Sequence, residues 1–245
     1  MNWKWGSQEL PEEGLSINSN DLTLLRIKRV NEEILIAPGP VDDDTVFSRF
    51  IAGREAKIVL YPALPELPIV IKPQMPLSIL PGLTFHCFVE VPLVFSISNV
   101  KGKKQELLTE VSVHNLSRSW FGDPWNGEVS YCLESPLNTD IEKYDQTETS
   151  IYCPVHIVNR SSQILALDRM LLRVPYLSVY QGRKRLYSNG TKISFRGQDQ
   201  ISQVTFYKGP PELEGSLKQI TPPRQTDESG LLTKSFYFFK TIYNG

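Results

Sequence analysis

The stretch Pro154 to Tyr180, PVHIVNRSSQILALDRMLLRVPYLSVY, decides the fold class. It is nearly continuous apolar sequence, rich in β-branched and aliphatic residues, and it breaks at Asn159-Arg160-Ser161-Ser162 and at Val174-Pro175-Tyr176. Short apolar runs bounded by turn residues read as consecutive buried strands. Working outward, Leu22 to Val30, Ile34 to Ala37, Ala56 to Tyr61 and Ile69 to Lys72 read as further strands, and Phe85 to Ser98 as one long strand bent at Pro92. Glu106 to Trp120 is expected to pair with Glu128 to Glu134 around the turn GDPWNG. There Asp123, Pro124, Trp125 and Asn126 fit a type I turn and Gly127 closes it. Ile201 to Tyr207 and Leu231 to Ile242 follow as later strands. No window carries an apolar period of about 3.6 residues over a helix's length.

The expectation is therefore an all-β chain built as an antiparallel β-sandwich of jelly-roll or immunoglobulin-like architecture. The polar stretch Asn138 to Ser150 marks a boundary between an N-terminal β domain (1–140) and a C-terminal one (141–245), with one continuous β unit as the alternative.

Bulk composition excludes some functions. The chain has 245 residues, with 26 basic and 27 acidic side chains and a net charge of −1. No basic excess draws it to nucleic acid or to anionic lipid, and no nucleic-acid partner is expected. Its most apolar window, Leu77 to Ser98, is interrupted by His86, Glu90 and Pro92, so membrane insertion is not expected either. The N-terminus, MNWKWGSQELPEEG, is read as lacking an apolar signal core. Cys87, Cys132 and Cys153 are odd in number and dispersed, which fits reduced, buried thiols and a cytoplasmic location. The sequons at Asn115, Asn159 and Asn189 then read as turn chemistry.

Chemistry-bearing patterns are sparse. His86, Cys87, His114, Cys132, Cys153 and His156 lack the local pairing that structural zinc prefers, and neighbouring strand residues such as His86 and Cys87 point to opposite faces. No metal ligand and no cofactor is assigned. No nucleophile elbow, phosphate-cradling loop or HExxH is present, so no catalytic residue is assigned. Two candidate binding surfaces stand out. One is the hairpin carrying Trp120, Asp123 and Trp125, where an exposed indole is suited to stack on a sugar or anchor a protein. The other is the basic turn Arg183, Lys184 and Arg185, suited to phosphate or to an acidic partner, and equally to a solvated turn that protects an edge. Asp168, on the apolar parity of Ile164 to Val174, needs a partner if it is buried.

Two segments, RSWFGDPWNGEVSYCLES (Arg118 to Ser135) and Pro154 to Tyr180, resemble a prokaryotic, largely archaeal family catalogued as domain of unknown function 432. The matching positions are Phe121, Gly122, Pro124 and Gly127, then Pro154, Val155, Ile157, Asn159, Ser161, Arg169 and Pro175. Phe121 stands where the family pattern has Tyr. The resemblance implies no activity. It implies proximity to mechanosensitive-channel genes, and hence an accessory role with a protein partner associated with a membrane channel. The reading that results is a non-catalytic binding or accessory module. Its alternatives are a carbohydrate-binding protein using the tryptophans and a hydrolase with a loop-assembled site.

Overall fold

The computed structural model describes residues 4–8, 10–19, 22–39, 45–53, 57–122, 125, 127–197, 202–226 and 231–233. Within them the chain is almost entirely β, with two single-turn 3-10 segments, Ile141–Lys143 and Val174–Tyr176. It divides into two compact units, Met1–Ala63 with Pro92–Asn115 and Leu64–Val91 with Leu116–Gly245. The stretch Asn138 to Ser150, read from sequence as a boundary, lies inside the second unit.

The first unit holds two antiparallel sheets. In one, β2 (Leu15–Ser19), β3 (Leu22–Val30), β4 (Glu33–Pro38) and β5 (Ser48–Ile51) form a meander. The β3–β4 hairpin turns at Asn31, whose φ of 56° is a conformation that asparagine tolerates better than most residues. In the other, β1 (Gly6–Gln8), β6 (Lys57–Ala63), β10 (Val94–Lys101) and β11 (Lys104–Ser112) lie side by side. Ile17, Leu25, Ile27 and Ile36 from the first sheet and Leu60, Phe95 and Ile97 from the second are fully buried. Each sheet thus has one buried face, as a sandwich requires.

Two sequence expectations change here. Phe85 to Ser98 is two strands, not one: β9 (Thr84–Pro92) and β10 meet at Leu93, and β9 belongs to the second unit apart from Pro92. Glu106 to Trp120 also divides. Its first part, in β11, pairs back onto β10 through the Gly102 turn (φ 63°), and only β12 (Ser117–Phe121) pairs with β13 (Glu128–Ser135). Apolar content alone does not reveal which neighbour a strand pairs with.

The second unit is a mixed assembly. β7 (Ile69–Pro73) pairs parallel with β13 and antiparallel with β16 (Met170–Leu172), giving the order β12-β13-β7-β16. β8 (Leu77–Ile79) pairs with β15 (Leu165–Leu167). The strand expected over Leu165 to Val174 is interrupted at Asp168-Arg169, and Asp168 is exposed there, so it needs no buried partner. The buried charge of this region is Arg173 instead, which grips Glu128 with two hydrogen bonds of 2.5 and 3.0 Å.

The large sheet of this unit is centred on β14 (Ser150–Asn159), the strand that opens the decisive stretch. One edge of β14 runs parallel to β18 (Leu186–Ser188) and then β19 (Thr191–Phe195), with a one-residue step in register at Asn189-Gly190. β17 (Val179–Gln181) and β21 (Lys218–Thr221) continue the sheet beyond β18, and β20 (Ser202–Phe206) and β22 (Leu231–Thr233) continue it beyond β19. β9 lies along the other edge of β14. The expected antiparallel arrangement therefore holds for most pairs, with parallel pairing at β7–β13 and around β14. β14 is buried at most positions on both faces, which explains its nearly unbroken apolar sequence.

Candidate ligand cleft in the second unit

Three neighbouring strands of the large sheet and the residue that follows a fourth bring their side chains together. β9 pairs with β14, and the rings of His86 and His156 meet there with centroids 4.3 Å apart in an edge-to-face arrangement. On the other side of β14, His156 is the register partner of Lys192. Register partners share a face, so Lys192 extends the contact of His86 with His156 into a row across three strands, which lie about 4.8 Å apart. Tyr207, just past β20, completes the group: its hydroxyl shares a 3.0 Å hydrogen bond with His156 Nδ1.

Each member is held in place by backbone logic. The amide of Tyr207 donates to the Gly190 carbonyl at 2.8 Å, and the Asn189 side-chain amide donates to the Tyr207 carbonyl at 2.8 Å. Asn189 Oδ1 accepts from the Ser178 amide, so one buried asparagine links two strands and the residue that walls the cleft. Gly190 is the position that admits the ring. A β-carbon there would stand 2.5 Å from Tyr207 Cδ2. On the other flank, the Tyr144 hydroxyl donates to the Phe88 carbonyl at 2.6 Å, within a buried cluster of Tyr144, Tyr152 and Tyr187.

His86, His156, Gly190 and Tyr207 line a cleft of about 470 Å³, within the range of small-molecule sites, while Lys192 acts on His156 from beside it. Phe88 and Pro154 continue the sheet-side wall, and Lys208, Pro210, Pro211, Glu212 and Leu213 close over it from the loop after β20. Glu214 pins that loop by accepting the Arg183 amide at 2.8 Å and the Tyr187 hydroxyl at 2.7 Å.

Electrostatics favour a neutral His156. Burial lowers its pKa first, and the neighbouring His86 and Lys192 charges lower it further. Cys87 also borders the cleft, but burial pushes its thiol up to about 12, so it is neither a nucleophile nor a ready metal ligand at neutral pH. Among the described residues, no group of three or more His, Cys, Asp or Glu side chains is placed to hold a metal ion.

The residues singled out from sequence lie elsewhere. Trp120 and Trp125 are 46% and 91% exposed, and Trp120 is paired across β12–β13 with Val129, which is 47% exposed. Asp123, together with Pro124 and Asn126, lies outside the described residues. The basic turn does not present its three charges together. Arg183 and Lys184 are exposed, whereas Arg185 is buried, donates to Glu142 at 2.8 Å and to the Tyr144 carbonyl at 3.1 Å, and lies over the Tyr152 ring. His114 belongs to the first unit and the other two histidines to the second. Sequence reasoning placed His86 and His156 in a loose set of six residues without separating the pair. The signal that isolates them is the strand pairing itself, which no local pattern carries.

Among the described residues no helix is long and apolar enough to cross a membrane. No curated protein and no solved structure matches the chain. Its family is nonetheless plain: a family model matches residues 4–240, and the chain belongs to the family described as Protein of unknown function (DUF432).

Proposed function

We propose that the protein is a non-catalytic binding module that holds a small, partly apolar ligand in the cleft of the second unit, and that it works in the cytoplasm. The observation that carries this reading is the convergence of His86, His156 and Tyr207, from three separate chain segments, on one cleft with a largely apolar wall. A few convergent polar groups against apolar lining is the usual composition of a ligand site. The protonated Cys87 thiol favours binding over thiol chemistry. The free state of Cys87, Cys132 and Cys153 supports a reducing compartment.

The test is thermal denaturation of the full chain with millimolar benzyl alcohol, phenyl glucoside, benzoate or phenyl phosphate. At least one should raise the melting temperature by more than about 2 °C, and the gain should vanish in Gly190→Ala, which displaces Tyr207. No shift with any of the four overturns the reading.

A second reading concerns the β12–β13 hairpin. Trp120, Val129 and Trp125 expose apolar surface together, which supports a docking surface for a protein partner, a membrane-channel component included, or for a sugar.

A further inference from the structure

We infer that the ligand of this cleft is an organic anion, a phosphate or carboxylate carried on an apolar body, whose charge is received by His86 and His156, flanked by Lys208 in the lining and by Lys192 beside His156. The inference rests on the cleft being the ligand site and adds the chemical class of what enters it.

The row is made by strand pairing, which gives it a fixed geometry. The rings of His86 and His156 meet edge to face where β9 pairs with β14, and Lys192 is opposite His156 on β19. Three side chains that carry or accept a proton are thus lined up on adjacent strands of one sheet. Like charges placed side by side repel, so protonation of His156 beside His86 and Lys192 is disfavoured. An anion laid across the pair offsets that cost and supplies hydrogen-bond acceptors. His156 Nδ1 is engaged by Tyr207, which leaves Nε2 for the ligand.

The covering loop contributes one charge of each sign to the lining, Lys208 and Glu212, so the sign of the site is set from the sheet side by the histidine pair and Lys192. Glu90, also on β9, lies beyond Phe88 towards the tyrosine cluster and acts on Tyr144 and Tyr152. The groups facing His156 are therefore His86 from β9, Lys192 from β19, Tyr207 after β20, and Lys208 and Glu212 from the loop. The apolar body of the ligand has its own wall in Phe88, Pro154, Pro210 and Leu213.

Linkage gives this proposal a signature that shape alone would not produce. His156 is held largely neutral by burial and by its cationic neighbours. An anion across the row favours the charged imidazole, so binding takes up protons and strengthens as pH falls through the histidine range.

The experiment is isothermal titration calorimetry of the full chain with phenyl phosphate, benzoate, inorganic phosphate and the neutral benzyl alcohol, at pH 6.0 and 8.0, in two buffers of different protonation enthalpy. Phenyl phosphate or benzoate should bind at least about tenfold tighter than benzyl alcohol. Binding should be several-fold tighter at pH 6.0, with proton uptake read from the buffer dependence. Lys208→Met should weaken the anion about tenfold and leave benzyl alcohol unchanged, and His156→Gln should abolish the proton uptake. Inorganic phosphate binding as tightly as phenyl phosphate overturns the apolar-body part. Equal, pH-independent binding of neutral and anionic compounds overturns the anion assignment and leaves the cleft a ligand site. Binding of none of the four overturns both.

Discussion

The side-chain amide of Asn159 donates to the carbonyl of Ile79 at 2.8 Å, joining the end of β14 to a strand eighty positions earlier in the chain. Asn159 is fully buried and makes a knot of this contact. It donates also to Gln163 at 2.7 Å, accepts from the Ser161 amide and hydroxyl, and exchanges backbone bonds with Gly82 and Leu83. Asn159→Ala removes the donor to the buried Ile79 contact and leaves the Gln163 carbonyl only the Ser161 hydroxyl, so it should cost about 2 kcal/mol. Chemical denaturation measures this directly. A midpoint within error of the wild type would mean that the loops are held by something else.

Gly190→Ala should reposition Tyr207. The new β-carbon would meet the ring at 2.5 Å, the tyrosine is partly exposed, and its ring has solvent to move into. The stability loss should be modest, about 1–2 kcal/mol, while the His156–Tyr207 hydrogen bond is lost. Histidine NMR reads that loss as a changed His156 ring environment, and an unaltered His156 signal would count against the contact.

Thiol accessibility separates the cysteines. Cys87 and Cys153 are buried, and their thiols are pushed up to about 12 by desolvation. At pH 8 about one part in ten thousand of each is thiolate. A disulfide reagent should label Cys132 alone in the native protein and all three in denaturant. Fast native labelling of more than one thiol would contradict the packing around β9 and β14.

Trp125→Ala should leave the denaturation midpoint within about 0.5 kcal/mol of wild type, because a side chain 91% exposed contributes little burial. A pull-down should then show whether a partner is lost with the indole. If the substitution unfolds the protein, the docking reading of this hairpin fails.

Stability should also depend on pH through His156. Its folded pKa lies below the unfolded value, owing to burial and then to His86 and Lys192. The unfolded chain therefore binds more protons between the two values. The stabilising contribution is fully present above about pH 6.5 and is lost as pH falls through the depressed folded value. Melting temperatures from pH 8 to 5 should fall less steeply for His156→Gln than for the wild type. Equal slopes would place His156 in an ordinary aqueous setting.

The all-β class and many individual strands are legible in the sequence because alternation, β-branched runs and turn residues act locally. Leu22 to Val30 coincides with β3, and the apolar opening of Pro154 to Tyr180 coincides with the central β14. Pairing is a different matter. That β18 and β19 run parallel to β14, or that Leu93 separates two strands belonging to different units, depends on contacts between distant segments. The candidate site shares that fate. His86 and His156 are each unremarkable alone and become a pair through the β9–β14 ladder. Arg185 shows the converse, since its basic turn reads as surface until Glu142 and Tyr144 are seen to hold it inside.

Occupancy of the cleft is measured most directly by histidine NMR, because the chain has three histidines and the account puts two of them in the site. His114, in the first unit, serves as the internal control. On titration with phenyl phosphate, benzoate, phenyl glucoside or benzyl alcohol, the ring resonances of His86 and His156 should move together and saturate while His114 stays in place. If no compound moves the pair, or if all three histidines drift alike, the cleft is not the ligand site.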